Sequence, residues 1–81
     1  MRQALRTADQ IGEALRRARK AQGLTQGDLS ARTNLRVATI SSLENGEPGT
    51  RLATLLSVLA ALELELQLEP RAGGADPEDI F

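Results

Sequence analysis

Cysteine and histidine are both missing from this chain of 81 residues. Their absence removes any disulfide framework and the usual zinc-binding sets, so no metal site is expected. It also removes the commonest bases of nucleophilic catalysis, and no serine stands beside another group able to activate it. The chain is therefore expected to have no catalytic residue and no cofactor. Aromatics are nearly absent, with one Phe and neither Trp nor Tyr. The apolar supply is mostly leucine and alanine, which suits a helical bundle better than a β sandwich. No run reaches the roughly 18 apolar residues of a membrane span. Met1 is followed by polar, charged sequence and not by the apolar core of a signal peptide, which predicts a cytoplasmic location without membrane partners. A chain this short forms one domain with a core that is marginal without staples, and pairing with a second copy is the natural supplement.

The formal net charge of −1 conceals a polarity along the chain. Residues 1–60 carry nine basic groups against five acidic ones, whereas residues 61–81 carry one against six. A basic body suits contact with phosphate, and an acidic end suits a position away from it or toward a different partner.

The chain is organised around the stretch Thr25 to Gly46, TQGDLSARTNLRVATISSLENG. Thr25 and Asp28 stand three apart in a capping-box order, predicting a helix from Gln26 to about Thr33. Asn34 tolerates a left-handed backbone and so permits a sharp turn, and Leu35 follows as an apolar plug. From Val37, the residues Ile40 and Leu43 form one apolar stripe while Val37, Ala38, Thr39, Ser41 and Ser42 leave the other faces small or weakly polar. Gly46 supplies the stop.

These residues resemble the helix-turn-helix of the lambda-repressor-like (XRE) family, whose segment runs T-Q-x-x-L-A, a turn residue, then x-T-I-S-x-[IL]-E-N-G. Ser30 stands where the family usually has Ala, Asn34 where it has Gly, and Arg36 where it favours a Ser or Thr cap. The resemblance implies sequence-specific binding to double-stranded DNA, with Arg36, Val37, Ala38 and Ser42 at base edges. Arg36 is the strongest of these, because a guanidinium can bond guanine O6 and N7 together. Thr25, Gln26, Thr39, Ser41, Asn45 and Gly46 fall where the family grips phosphates, through helix N-termini and the loop amides at Asn45 and Gly46. It further implies an ion pair between Arg19 and Glu44 that locks the first helix onto the recognition helix; the alternative is an ordinary exposed arginine.

On the N-terminal side, Arg2 and Arg6 form an arm that lies either against phosphates or in solvent. Thr7 and Gln10 make a second capping box, opening a helix that continues to Gln22, with Ile11, Ala14, Leu15 and Ala18 on one face and Gly23 as its end. Leu24 plugs the core. Leu29, Ile40 and Leu43 are expected to meet Leu15 and Ile11 in a three-helix core. After the Glu47-Pro48-Gly49 turn, Thr50 is expected to cap a fourth helix from Arg51 to about Ala61. Leu52, Leu55, Leu56, Leu59 and Leu62 give that helix more leucine than one domain can bury, and Val58 and Ala60 widen the surplus.

From Leu62 to Glu69 the pattern changes to strict alternation, LELELQLE, which reads as a half-buried strand ended by Pro70. The alternative is that leucine and glutamate prolong the fourth helix. No second strand-like run exists in the sequence, so a strand here requires another copy: antiparallel pairing across a two-fold axis, with Leu64, Leu66 and Leu68 covering the leucine-rich helix. The expected fold is thus all-α, a lambda-repressor-like bundle of four helices with a C-terminal β-strand pairing across a dimer, over residues 1–70. Helix-turn-helix, strand and polar tail together resemble HipB-like antitoxins, the DNA-binding partners of HipA-like serine/threonine kinase toxins. That resemblance implies a homodimeric repressor of its own pseudo-palindromic operator that also neutralises a toxin. A stand-alone XRE-type repressor and a protein-interaction adaptor without specific DNA binding remain as other readings. Residues 71–81, RAGGADPEDIF, are an acidic tail expected to be disordered, whose Ile80-Phe81 tip either anchors in a partner or is a frayed end.

Overall fold

A computed structural model describes residues 4–71. Its regular structure is four helices, α1 (Ala8–Ala21), α2 (Gln26–Thr33), α3 (Val37–Glu44) and α4 (Leu52–Ala61). No strand occurs among the described residues, and no helix there is long and apolar enough to cross a membrane. The Ile80-Phe81 tip and the Arg2 end of the arm lie outside the described residues.

Helix starts follow local side-chain chemistry where a hydroxyl is available. The Thr25 and Asp28 capping box is complete: the Thr25 hydroxyl accepts from the Asp28 amide at 3.0 Å, and the Asp28 carboxylate accepts from the Thr25 amide at 2.9 Å. Those bonds from Thr25 hold the Asp28 carboxyl below the usual carboxylate range. At α1 only half the expected box forms. The Thr7 hydroxyl accepts from the Gln10 amide at 3.1 Å, but the Gln10 side chain reaches one residue further back and accepts from the Arg6 amide at 2.6 Å. The expected Thr50 cap is replaced. Its hydroxyl closes the preceding turn onto the Glu47 carbonyl at 3.2 Å, and α4 begins at an Arg51 N-cap with no side-chain bond.

Helix ends use positive φ. Asn34 sits at φ 60° and ψ 18°, which turns the chain between α2 and α3. Ser30 and Thr33 brace that turn: the Ser30 hydroxyl donates to the Leu35 carbonyl, and the Thr33 hydroxyl accepts from the Leu35 amide at 3.2 Å. Helices α1, α3 and α4 all end in the same pair of reverse bonds, Leu24 to Arg19 with Gly23 to Lys20, Glu47 to Ser42 with Gly46 to Leu43, and Leu64 to Leu59 with Glu63 to Ala60. At α4 the left-handed position is filled by Glu63, at φ 59°, where the other two helices have glycine. This ends the fourth helix at Ala61 and removes the prolonged-helix reading.

The core is Leu15, Leu29, Ile40, Leu43, Val58 and Leu62, flanked by half-buried Ile11, Leu24, Leu35, Leu55 and Leu59. Two of these differ from the sequence expectation. Val58 belongs to the domain's own core and not to the leucine surplus, because 55, 58, 59 and 62 share one face of α4 and that face is turned inward. Leu62, expected as the first strand residue, is the C-cap of α4 and fully buried. Residues 64–71 follow in neither helix nor strand.

Glycine lets α1 lie directly on the end of α3. A Cβ placed on Gly12 would stand 2.5 Å from the backbone carbonyl oxygens of both Leu43 and Glu44. From the other side, a Cβ on Gly46 would stand 2.7 Å from the Asp9 Cα. Both approaches are closer than any side chain allows, so the seat of α3 on α1 is set by backbone against backbone.

Candidate nucleic-acid interface

Glu44, the last residue of α3, is buried with 3% of its surface exposed. A carboxylate so placed must be paired, and three side chains from two helices converge on it. Arg19 of α1 makes a two-pronged contact, Nε to Oε2 at 2.7 Å and Nη2 to Oε1 at 3.0 Å. Gln26, the first residue of α2, donates from Nε2 to Oε1 at 3.0 Å. Arg16 adds its charge with Nε 3.6 Å from Oε1. Arg19, itself 7% exposed, spends its remaining prong on the Leu24 carbonyl at 2.7 Å. The ordinary exposed arginine is therefore not what the fold contains. Burial pushes the Glu44 carboxyl up, but the bonds from Arg19 and Gln26 and the charges of Arg19 and Arg16 outweigh it and hold the group below the usual carboxylate range. The bond to Glu44 likewise raises Arg19 above an ordinary arginine.

With Ile40, Leu43 and Glu44 turned inward, α3 presents Arg36, Val37, Ala38 and Ser42 to solvent, while Thr39 and Ser41 are half-buried at the edges of that face. Val37 is 45% exposed, the one large apolar side chain of the first three helices that stands free. Arg36 occupies the N-cap of α3 without a side-chain capping bond and forms no ion pair among the described residues. A long cationic side chain at the exposed start of a helix whose far end is clamped can reach into a groove while its backbone stays put.

The residues expected to grip phosphate stand in two different situations. Thr25 and Gln26 stand at the start of α2, where the first amides lack helical partners, and Gln26 has one amide hydrogen left after its bond to Glu44. Asn45 and Gly46 do not offer their backbone amides, in correction of the expectation. The Asn45 amide bonds the Ser41 carbonyl at 2.9 Å and the Gly46 amide bonds that of Leu43 at 3.1 Å, closing the end of α3. The Asn45 side chain has a partner of its own. Its Oδ1 accepts from Arg16 Nη2 at 2.9 Å.

Arg16 and Gly12 are the site residues that sequence reasoning passed over. Both share one stripe of α1 with Arg19, at positions 12, 16 and 19, the spacing of one helical face. The signal was present, but Arg16 and its neighbour Arg17 look alike in sequence. The fold separates them, since among the described residues Arg17 reaches only Glu13, at 3.9 Å, with its side chain 61% exposed. Leu64, Leu66 and Leu68 lie after α4 and are exposed, Leu68 to 94%. They take no part in the surface built by α2 and α3.

Comparison with known proteins bears on the whole arrangement. A helix-turn-helix family model matches residues 15–68. Antitoxin HipB of Escherichia coli K12 is 34% identical over 76 residues, covering 94% of this chain and 85% of that protein. An uncharacterized HTH-type transcriptional regulator of Sinorhizobium fredii, y4dL, is 45% identical over 65 residues, covering 78% of this chain and about a third (32%) of that protein. Among solved structures, a HipA-HipB-O2-O3 complex contains a chain that superposes with a TM-score of 0.82 at 31% identity, covering 88% of this chain and all of that one.

Proposed function

Because the chain belongs to the XRE-type helix-turn-helix family, we propose that it is a sequence-specific DNA-binding repressor that works as a homodimer and as the antitoxin of a HipA-like kinase toxin. The observation that carries the DNA reading is the pairing of opposite ends of α3: a buried, fully satisfied Glu44 at one end and an exposed, unpaired Arg36 at the other. Val37 and Ala38 add apolar contact suited to a thymine methyl, and Ser42 a small polar one. Thr25, Gln26, Thr39, Ser41 and the side chain of Asn45 flank this face and serve as phosphate grips.

Dimerisation is supported by the exposed leucines. Leu52 and Leu56 on α4 and Leu64, Leu66 and Leu68 after it stand in solvent in a single copy, which is costly for a domain of this size. Pairing residues 64–69 with the same residues of a second chain supplies the missing strand partner and covers both groups of leucines. Two recognition helices held in that register read a pseudo-palindromic operator with half-sites roughly 34–36 Å apart. The kinase partner is supported by the likeness to HipB and by the HipA-HipB complex among the structural neighbours. A cytoplasmic location accords with such a role.

The DNA reading is tested by selecting duplexes from a randomised library with the wild-type protein and measuring binding by fluorescence anisotropy. Arg36→Ala is expected to cost about 1–3 kcal/mol on the selected duplex and to relax preference at one base pair per half-site. Equal losses on selected and scrambled duplexes would sink base readout by Arg36, and failure to enrich any sequence would sink the repressor reading. Co-elution with the HipA-like product of a neighbouring gene tests the antitoxin role.

A further inference from the structure

We propose that Arg16 is a positioning residue for phosphate binding by Asn45, fixing the Asn45 amide so that its NH2 and not its carbonyl faces the DNA. The inference rests on the reading of this face as a DNA surface and on Asn45 as one of its grips. The two ends of an asparagine amide differ in chemistry but hardly in shape. An NH2 donates to a phosphate oxygen, whereas a carbonyl oxygen brought to the same place is repelled. An exposed, unpartnered asparagine flips freely between the two.

Asn45 is not unpartnered. Arg16 Nη2 donates to its Oδ1 at 2.9 Å. A guanidinium has no acceptor, so the partner can only be the oxygen, and the orientation follows from the chemistry of the pair. The Nδ2 end is left without a protein partner among the described residues. Arg16 is in turn held down by two carboxylates, Glu13 at 3.6 Å and the buried Glu44 at 3.6 Å, and only 34% of its side chain is exposed. Tethered in this way, its charge is answered within the protein. Its role is to orient Asn45 and not to extend into solvent toward a phosphate of its own. The same Glu44 accepts from Gln26, so the grips at the start of α2 and the end of α3 are set by one carboxylate and the arginine beside it.

The test is a double-mutant cycle on affinity for a duplex enriched by the wild-type protein, at a temperature where every variant is folded by circular dichroism. Arg16→Met is expected to weaken binding about fivefold per subunit when Asn45 is present, and by less than about twofold when it is combined with Asn45→Ala. Equal weakening in both backgrounds would show that Arg16 acts on DNA directly or through the fold, and would overturn the inference. If Asn45→Ala alone leaves affinity unchanged, Asn45 is no phosphate grip and the inference falls with that assignment, while Arg36→Ala still reports separately on base readout. Asn45→Asp guards against misfolding of the arginine variant, because it keeps an acceptor for Arg16 while it replaces the donor with a negatively charged oxygen. It is expected to keep the melting temperature and to lose at least as much affinity as Asn45→Ala; undiminished binding would overturn the proposal.

Discussion

From Ile11 to Leu43 every large apolar side chain except Val37 is buried or half-buried, whereas from Leu52 to Leu68 five leucines stand between 39% and 94% exposed. The first region is closed by polar ties as well as packing: Glu44 receives Arg19, Gln26 and Arg16, and Gly12 lets two helix backbones touch. The second has fewer such ties among the described residues, one of them Gln22 Nε2 to the Leu62 carbonyl at 2.8 Å. Under the proposed function, the contrast separates two tasks. A surface that reads a rigid double helix needs its reading element held in one orientation by the chain itself. A surface that meets another copy can leave its apolar area open, since the second copy completes it.

The comparison breaks most visibly at Glu44. Glu44→Ala leaves Arg19 buried without its partner and is expected to cost about 3–5 kcal/mol, enough to abolish cooperative thermal unfolding near room temperature in so small a domain. A variant that melts within a few degrees of the wild type would show that the clamp is not what closes the first region. The same carboxylate gives the pH dependence a sign. Its folded value is depressed, so its contribution is fully present above the ordinary value of 4.5 and is lost as pH falls below that through the folded value. Denaturation followed across acid pH should lose part of its slope in Glu44→Gln, in which this titration is gone.

Gly12→Ala comes next. The added methyl meets two backbone carbonyls that cannot rotate away, and overpacking of this kind costs about 1–3 kcal/mol despite the better helix propensity of alanine. Chemical denaturation measures it; unchanged stability would mean that α1 and α3 separate at no cost. Smaller and opposite in sign is Glu63→Gly, expected to stabilise by about 0.5–1 kcal/mol because the left-handed backbone at φ 59° suits glycine. A loss of stability there would imply that the Glu63 side chain has a use outweighing its strain. Leu66→Asp sharpens the contrast from the other end. In the proposed dimer it converts the sedimenting species to a single chain, yet it changes the stability of the isolated domain by no more than about 0.5 kcal/mol, as for an exposed position. An unchanged sedimenting mass would remove residues 64–69 from the interface.

Local chemistry made much of the fold legible in advance. The Thr25 and Asp28 box, the left-handed Asn34 and the glycines after α1 and α3 each act within a few residues, so the helix order and most boundaries followed from the sequence. Errors arose where two local choices were close in energy. The Thr50 hydroxyl had the Glu47 carbonyl as a rival to the α4 amides, and Gln10 had Arg6 as a rival to Thr7. Glu63 was hardest, because a non-glycine residue at a left-handed helix end has no signature, and the alternation that begins beside it spoke for a strand.

By itself the sequence determined four capped or glycine-ended segments, a helix-turn-helix with one long polar side chain at the head of its second helix, and a leucine surplus beyond it. Tertiary structure alone decided which of Arg16 and Arg17 meets Glu44 and Asn45, that Gly12 is a seat, that the Asn45 and Gly46 amides bond within the chain, and that Val58 and Leu62 belong inside. The division has one physical cause. Caps and turns are settled by energies between neighbours in the chain, whereas burial, close backbone approach and the orientation of an amide depend on residues such as 16 and 45, which only the packing of α1 on α3 brings within 2.9 Å.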